Sequence, residues 1–328
     1  MAKNNSNKIG LGSILAVIGL VGLAVLFFLG QYYGGATFGA SLILSAVLTV
    51  AFIVLLLFLR WTRSKENDLM QWRIIEGIAF AVYLVAVVMT AGISSRYVSV
   101  YGERKVLQAA AETDLNAITA EVSRFQSDEK SALGSTCTDL ESLLNSGTSY
   151  SNYSPDLKEW FRTNRIVPDE QTFKSYHIDT FKDHWTRRLN NVTDADQNNN
   201  AEAWQHEVDD IRRDVRNFSV FNVPSAAKRL TVLNATVGAT LDGISANLPF
   251  VSMERSGSGF GITGQHEPFR YHATVTMTEK LKGISDYSTA GLGLIVLLHI
   301  LVLIAYVTTP YARSIRRPVT ADDGGTVI

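Results

Sequence analysis

Four long apolar runs constrain this chain more than any other feature. Residues 9–29 and 38–59 carry no charged side chain, residues 74–95 carry one, Glu76, and residues 287–309 carry one histidine, His299, and no acid, lysine or arginine. A hydrocarbon core of about 30 Å is crossed by about 20 helical residues, and every run reaches that length. The first run exceeds the apolar core of a signal peptide, about 7–15 residues, and no A-x-A-like cleavage site follows it, so it reads as a retained helix. Charged residues make up 19% of the chain, below the roughly 25% of a soluble domain. The deficit lies in the four runs, and the remainder reads as an ordinary water-soluble sequence.

Positive charges set the expected orientation. Lys3 and Lys8 precede the first run, Arg60, Arg63, Lys65 and Arg73 join the second to the third, and Arg313, Arg316 and Arg317 follow the fourth. The link between the first two runs has no lysine or arginine. Both termini are therefore expected in the cytoplasm, residues 310–328 as a cytoplasmic tail, and residues 96–286 on the opposite side. Trp61 and Trp72 suit the cytoplasmic interface. The fold class that follows is a mainly α membrane protein. Its four transmembrane helices carry a large, predominantly helical extracytoplasmic domain, with a small β-hairpin, inserted between the third and fourth.

Residues 96–286 hold 21 lysines and arginines against 26 aspartates and glutamates, a balance that disfavours nucleic acid as a partner. The single cysteine, Cys137, excludes an intramolecular disulfide, and a disulfide-free outer domain points to a bacterial periplasm. Apolar positions at Leu107, Ala111, Leu115, Ile118, Val122 and Phe125 follow a helical stripe. They predict one long helix from Tyr97 to about Gly134, continuing the third membrane helix, with a weaker continuation over 138–144. Ser154-Pro155-Asp156 is a helix start signal for a short helix through Phe161. Further helices are expected over about 169–189, 204–218 and 227–248. Tyr271, Ala273, Val275 and Met277 alternate with polar residues and predict a strand, paired with residues 250–253.

Several patterns suggest chemistry. Asp194, Asp196, Asn198, Asn200 and Glu207 resemble a calcium loop, but neither possible register is complete: the one ending at Glu207 has Ala201 where glycine belongs. Ca²⁺ is the one cofactor these residues suggest, and a polar inter-helix turn is the simpler reading. The six histidines show no zinc-helix spacing. Residues 256–264, S-G-S-G-F-G-I-T-G, contain a formal G-x-G-x-x-G at Gly259, Gly261 and Gly264. The dinucleotide fingerprint needs a helix to follow, and Gln265-His266-Glu267-Pro268 does not start one, so no nucleotide is expected. The stretch reads instead as a mobile hairpin tip exposing Phe260 and Ile262 to a partner. Within the membrane, His299 near the middle of its helix is a functional candidate by default, whereas Glu76 lies close to a helix start that tolerates a carboxylate. Gly12 with Ala16, Ser41 with Ser45 and Gly77 with Ala81 mark expected packing faces.

The short cytoplasmic link and tail leave no room for kinase, cyclase or ATPase chemistry. The expected function is a non-enzymatic inner-membrane subunit of a multiprotein cell-envelope assembly of the secretion or injection type, acting as anchor and periplasmic scaffold. Its partners would be the lipid bilayer and other membrane or periplasmic proteins, in a homo- or hetero-oligomer. The alternatives are a sensor or transducer with a helical ligand-binding domain, and a small transporter or channel subunit.

Overall fold

The computed structural model describes residues 11–64, 69–167, 173–190, 201–218 and 222–309, without the side chains of 69 and 201–203. Ten α-helices, one short 3-10 helix (Tyr150–Asn152) and one two-stranded sheet are formed among them. Four helices are long and apolar enough to cross a membrane: α1 (Leu11–Tyr33), α2 (Phe38–Arg63), α3 (Leu69–Gly102) and α10 (Thr289–Val307). The remaining helices are α4 (Arg104–Asn145), α5 (Pro155–Thr163), α6 (Ser175–Asn190), α7 (Ala201–Asn217), α8 (Val223–Ser245) and α9 (Met277–Gly283). The chain packs as two compact units, one of residues 1–104 with 281–328 and one of residues 105–280.

In the first unit α1 packs against α2, α3 and α10. Leu23, Phe27, Phe52, Tyr83, Ile295 and Val302 share its core. Water cannot drive helices together inside hydrocarbon, so close backbone approach at small residues does that work. A Cβ on Gly30 would fall 1.7 Å from the Ile93 carbonyl oxygen, and one on Gly19 would fall 2.8 Å from the Leu298 carbonyl oxygen. Of the expected packing faces, Ala16, Ser41 and Ser45 are buried. Gly77 and Ala81 are instead exposed, because α3 turns its Ala79 and Tyr83 inward.

The predicted continuous helix from Tyr97 is interrupted: α3 ends at Gly102 and α4 begins at Arg104. From there α4 runs unbroken through Gly134 to Asn145, and Gly147 (φ +62°) takes the left-handed turn that ends it. Leu107, Ala111, Leu115, Ile118 and Phe125 are buried. Short polar side chains recur along the same helix and hold the returning chain. Asp114 accepts the backbone N–H groups of Thr276 (2.9 Å) and Met277 (2.8 Å), and Glu121 accepts that of His272 (3.1 Å). Thr136 accepts from Val251 (3.1 Å) and Asp139 from Met253 (2.8 Å). Seven helical residues rise about 10.5 Å, and four extended residues span about 13 Å. Four residues of extended chain are therefore long enough to reach from Asp114 to Glu121, as Thr276 and His272 do.

This arrangement corrects the predicted strand. Residues 266–276 are not in a sheet. The alternation is real, since Tyr271, Ala273 and Val275 are half-buried while His272 and Thr274 are exposed. Yet the hydrogen-bonding partners are side chains: Asp242 accepts the Tyr271 N–H at 2.9 Å, and Asn234 donates to the Ala273 carbonyl at 3.2 Å. The true partner of β1 (Val251–Ser256) is β2 (Gly259–Gln265), which is the glycine-rich stretch itself. The two strands are antiparallel around a two-residue turn, with Gly257 at φ +59°.

Three substitutions test this packing. Gly30→Ala forces apart α1 and the Ile93 carbonyl and is expected to lower stability by about 1–3 kcal/mol, whereas Gly77→Ala stays within about 0.5 kcal/mol of wild type. Asp114→Ala strands two N–H groups and is expected to lose about 2–4 kcal/mol. Thermal unfolding of the full-length protein in detergent, with denaturant titration, reads all three.

Candidate functional site

The residues singled out by sequence separate when placed in the structure. His299 is buried at mid-helix on α10. Its Nδ1 lies 2.9 Å from the Tyr83 hydroxyl, and its ring packs 5.2 Å from Phe52. Its Nε2 is buried without a hydrogen-bond partner among the described residues. Glu76 lies about two turns inside α3, deeper than the helix-start reading supposed, and is neutralised there rather than merely tolerated. Arg73 meets it at 2.8 Å, Arg63 at 3.9 Å, and the Tyr306 hydroxyl donates to it. Arg63 also donates to the Thr309 carbonyl at 2.8 Å and the Val307 carbonyl at 3.3 Å, placing a cation at the C-terminus of α10. Trp61 packs edge-on against Trp72 (4.9 Å).

Phe260 is not an exposed tip: it is 5% exposed, and Ile262 is half-buried. The Phe260 carbonyl accepts the Ser154 N–H at 2.8 Å, which fastens β2 beside the start of α5. A Cβ on Gly259 would fall 2.3 Å from the Asn152 carbonyl oxygen, so this glycine serves close packing. Of the calcium-loop residues, Asp194, Asp196, Asn198 and Asn200 lie outside the described residues. Glu207 gives both carboxylate oxygens to Arg229, at 2.6 and 2.8 Å. Arg229 also meets Asp214 at 2.9 Å and Asp210 at 3.8 Å, tying α7 to α8. No group of three metal-ligating side chains occurs among the described residues.

Ser245, Glu129 and His266 lie together, a combination with catalytic associations, but their order is wrong for a nucleophile. Ser245 Oγ donates to the buried Glu129 carboxylate and accepts the Phe269 N–H at 2.6 Å. His266 Nε2 approaches the other carboxylate oxygen at 2.8 Å, without hydrogen-bond alignment. The glutamate separates serine from histidine, whereas general-base activation needs serine on histidine. Cys137 is buried, and burial pushes its thiol above the usual value, the reverse of an activated nucleophile.

A cleft that sequence reasoning missed lies between the end of α5 and one face of α6, with a volume of about 510 Å³. Its lining includes the buried Ile166 and Phe181, the half-buried Trp185 and the exposed Tyr176. Arg165 and His184, both exposed, and the buried His177 also line it. The end of α5 is a Schellman turn: the Arg165 N–H reaches the Arg162 carbonyl (3.2 Å) and the Ile166 N–H reaches the Phe161 carbonyl (3.0 Å). Arg165 occupies its left-handed position, at φ +52°, where glycine is strongly favoured. The Lys174 N–H donates to His177 Nδ1 at 3.0 Å, so the neutral ring carries its proton on Nε2. Burial lowers the pKa of His177 and keeps it neutral. The aromatic run from Phe173 to Trp185 was a visible signal. The place of Arg165 was not, because it depends on how α5 ends.

Four membrane-length helices define the chain as a multi-pass membrane protein. Comparison with known proteins returns no matching family model, curated protein or solved structure.

The α7–α8 ion pairs give a pH-dependent test. Hydrogen bonding to Arg229 holds the Glu207 carboxyl below its ordinary value of 4.5. A lowered folded-state value stabilises the fold above the ordinary value, and that stability is lost as pH falls through the folded value. Both side chains are about one-third exposed, so screening reduces the effect. Arg229→Gln is expected to lower stability by about 1–2 kcal/mol at neutral pH. Its deficit against wild type should narrow as pH drops below about 4.5, followed by denaturant unfolding across pH 3–7.

Proposed function

We propose that this protein is a non-enzymatic subunit of a bacterial inner-membrane assembly of the secretion or injection type, acting as membrane anchor and periplasmic scaffold. In this reading both termini are cytoplasmic, and residues 96–286 form a domain in the periplasm, inserted between the third and fourth membrane helices. The basic residues flanking the membrane helices support that orientation.

The observation that carries the scaffold reading is the clamp at Arg96. Its guanidinium is buried and donates to the Leu281 carbonyl (2.8 Å), to Asp286 (2.8 Å) and to the Ile284 carbonyl. Beside it the Ser288 N–H donates to Ser95 Oγ at 3.2 Å, and Gly291 leaves the room that Ser95 fills. The end of α3 and the segment entering α10 are thereby fixed to each other inside the first unit. A load on residues 105–280 then reaches two membrane helices together, which is what an anchor requires. The bonding of Glu207, Glu129 and Ser245 into structural contacts, and the inert state of Cys137, favour a non-enzymatic role.

A second reading, a sensor or transducer with a ligand-binding outer domain, is favoured by the α5–α6 cleft. Photo-cross-linking in intact cells separates the two. A photoreactive side chain at the exposed positions Ser123, Ser127 and Thr138 of α4 is expected to yield discrete adducts with a second copy or another envelope protein. Arg96→Ala is expected to insert normally yet lose most of that yield. A protein that stays strictly monomeric after mild extraction and gives no adduct at any position sinks the scaffold reading.

A further inference from the structure

We propose that the α5–α6 cleft is a binding site for a small organic anion with a flat apolar body, an aryl carboxylate or aryl phosphate, whose charged group is held by Arg165. The proposal stands independently of the scaffold reading.

Three observations converge on this ligand class. The first is charge. Among the described residues Arg165 forms no ion pair, and no carboxylate lines the cleft. The nearest acid on α5, Glu159, is already held by Arg162 at 2.6 Å. The buried His177 lines the cleft with its proton on Nε2, fixed by the bond at its other nitrogen, and the exposed His184 lines it too. Arg188 lies over the Trp185 ring at 5.1 Å and adds a second positive group beside that ring. A lining rich in donors, with a cation and, among the described residues, without an acid, complements an acceptor-rich anion.

The second is shape. Trp185 and Phe181 meet at 6.3 Å, and Tyr176 lies against His177 at 3.9 Å, giving an aromatic wall for a planar body. About 510 Å³ falls within the roughly 300–1,000 Å³ of small-molecule sites.

The third is the backbone at Arg165. A Schellman turn needs its left-handed residue to be glycine for least strain. Here an arginine occupies it, at a cost to stability that its own bonding does not return, since its side chain makes no bond among the described residues. Strain of this kind collects at binding sites, where the side chain repays it through the ligand. The same feature supplies a clean variant: Arg165→Gly removes the guanidinium and relieves the backbone together.

The test uses full-length protein in lipid nanodiscs, with empty nanodiscs as the blank. The probes are 2-naphthoate, indole-3-acetate and phenyl phosphate, each set against its neutral counterpart: 2-naphthamide, indole-3-acetamide and phenol. Saturation-transfer NMR and tryptophan fluorescence give the affinities. At least one anion is expected to bind wild type tenfold or more tightly than its counterpart. Arg165→Gly and Arg165→Gln should both erase that discrimination, the glycine variant with a melting temperature equal to or above wild type. Arg165→Lys should keep the charge but lose the planar fork, and bind the anion several-fold more weakly. Trp185→Leu should weaken anion and neutral counterpart alike. If no anion binds, if anions and neutral counterparts bind equally, or if both charge-removing variants discriminate as wild type does, the proposal is overturned.

Discussion

The second unit depends on a division of labour along α4. One set of its residues is apolar and forms the core, while Asp114, Glu121, Thr136 and Asp139 capture backbone N–H groups from the chain that returns along it. A segment with no sheet of its own would otherwise carry unsatisfied N–H groups into a partly buried setting, at about 1–3 kcal/mol each. At Asp114, Glu121 and Asp139 the acceptor is a carboxylate, which makes the bond stronger than one to a neutral oxygen. The helix therefore supplies both the apolar surface and the hydrogen-bonding edge that a neighbouring strand would normally provide. This also explains how β1 avoids an open edge, since Thr136 and Asp139 occupy it.

The same economy governs the membrane helices. Arginine and glutamate are costly in or near hydrocarbon unless paired. Glu76 is met by Arg63, Arg73 and Tyr306, while Arg63 also caps the carbonyls that end α10. At the other end Arg96 does the equivalent for the segment entering α10. Each cluster ties α10 to earlier parts of the chain, so the helix that arrives last in sequence is located by charge at both ends and by the close approach of Gly19 between them.

How far these features are legible in sequence depends on whether they are local. The four membrane helices are, because an apolar run of that length has one structural solution. The α4 stripe and the Ser154-Pro155 cap are too, because period and capping act within a few residues. Pairing is not local. Alternation at Tyr271, Ala273 and Val275 reports which side faces inward and says nothing of whether a strand or a helix supplies the partner. The glycine-rich stretch has almost no side-chain pattern, so its role as β2 follows from the turn at Gly257 and the close approach of Gly259 to Asn152. Phe260 beside three glycines looks like an exposed tip until residues a hundred positions earlier cover it. His299 is conspicuous in sequence, while Tyr83, its partner 216 residues away, is not.

Most polar groups that attract attention here have their bonding accounted for by the fold. Glu207 binds Arg229, Ser245 binds Glu129, and Asp114 binds Thr276 and Met277. Arg165 stands apart on two counts at once. Its backbone adopts a conformation that costs energy for any residue but glycine, and its side chain makes no bond within the described residues. A strained arginine with no side-chain partner among the described residues, beside an aromatic cleft, points to a negatively charged group brought by another molecule. A purely structural role would be served better by glycine, which completes the same turn with less strain. The guanidinium is what glycine cannot supply, and it is the part of this site that an apolar cleft alone would not require.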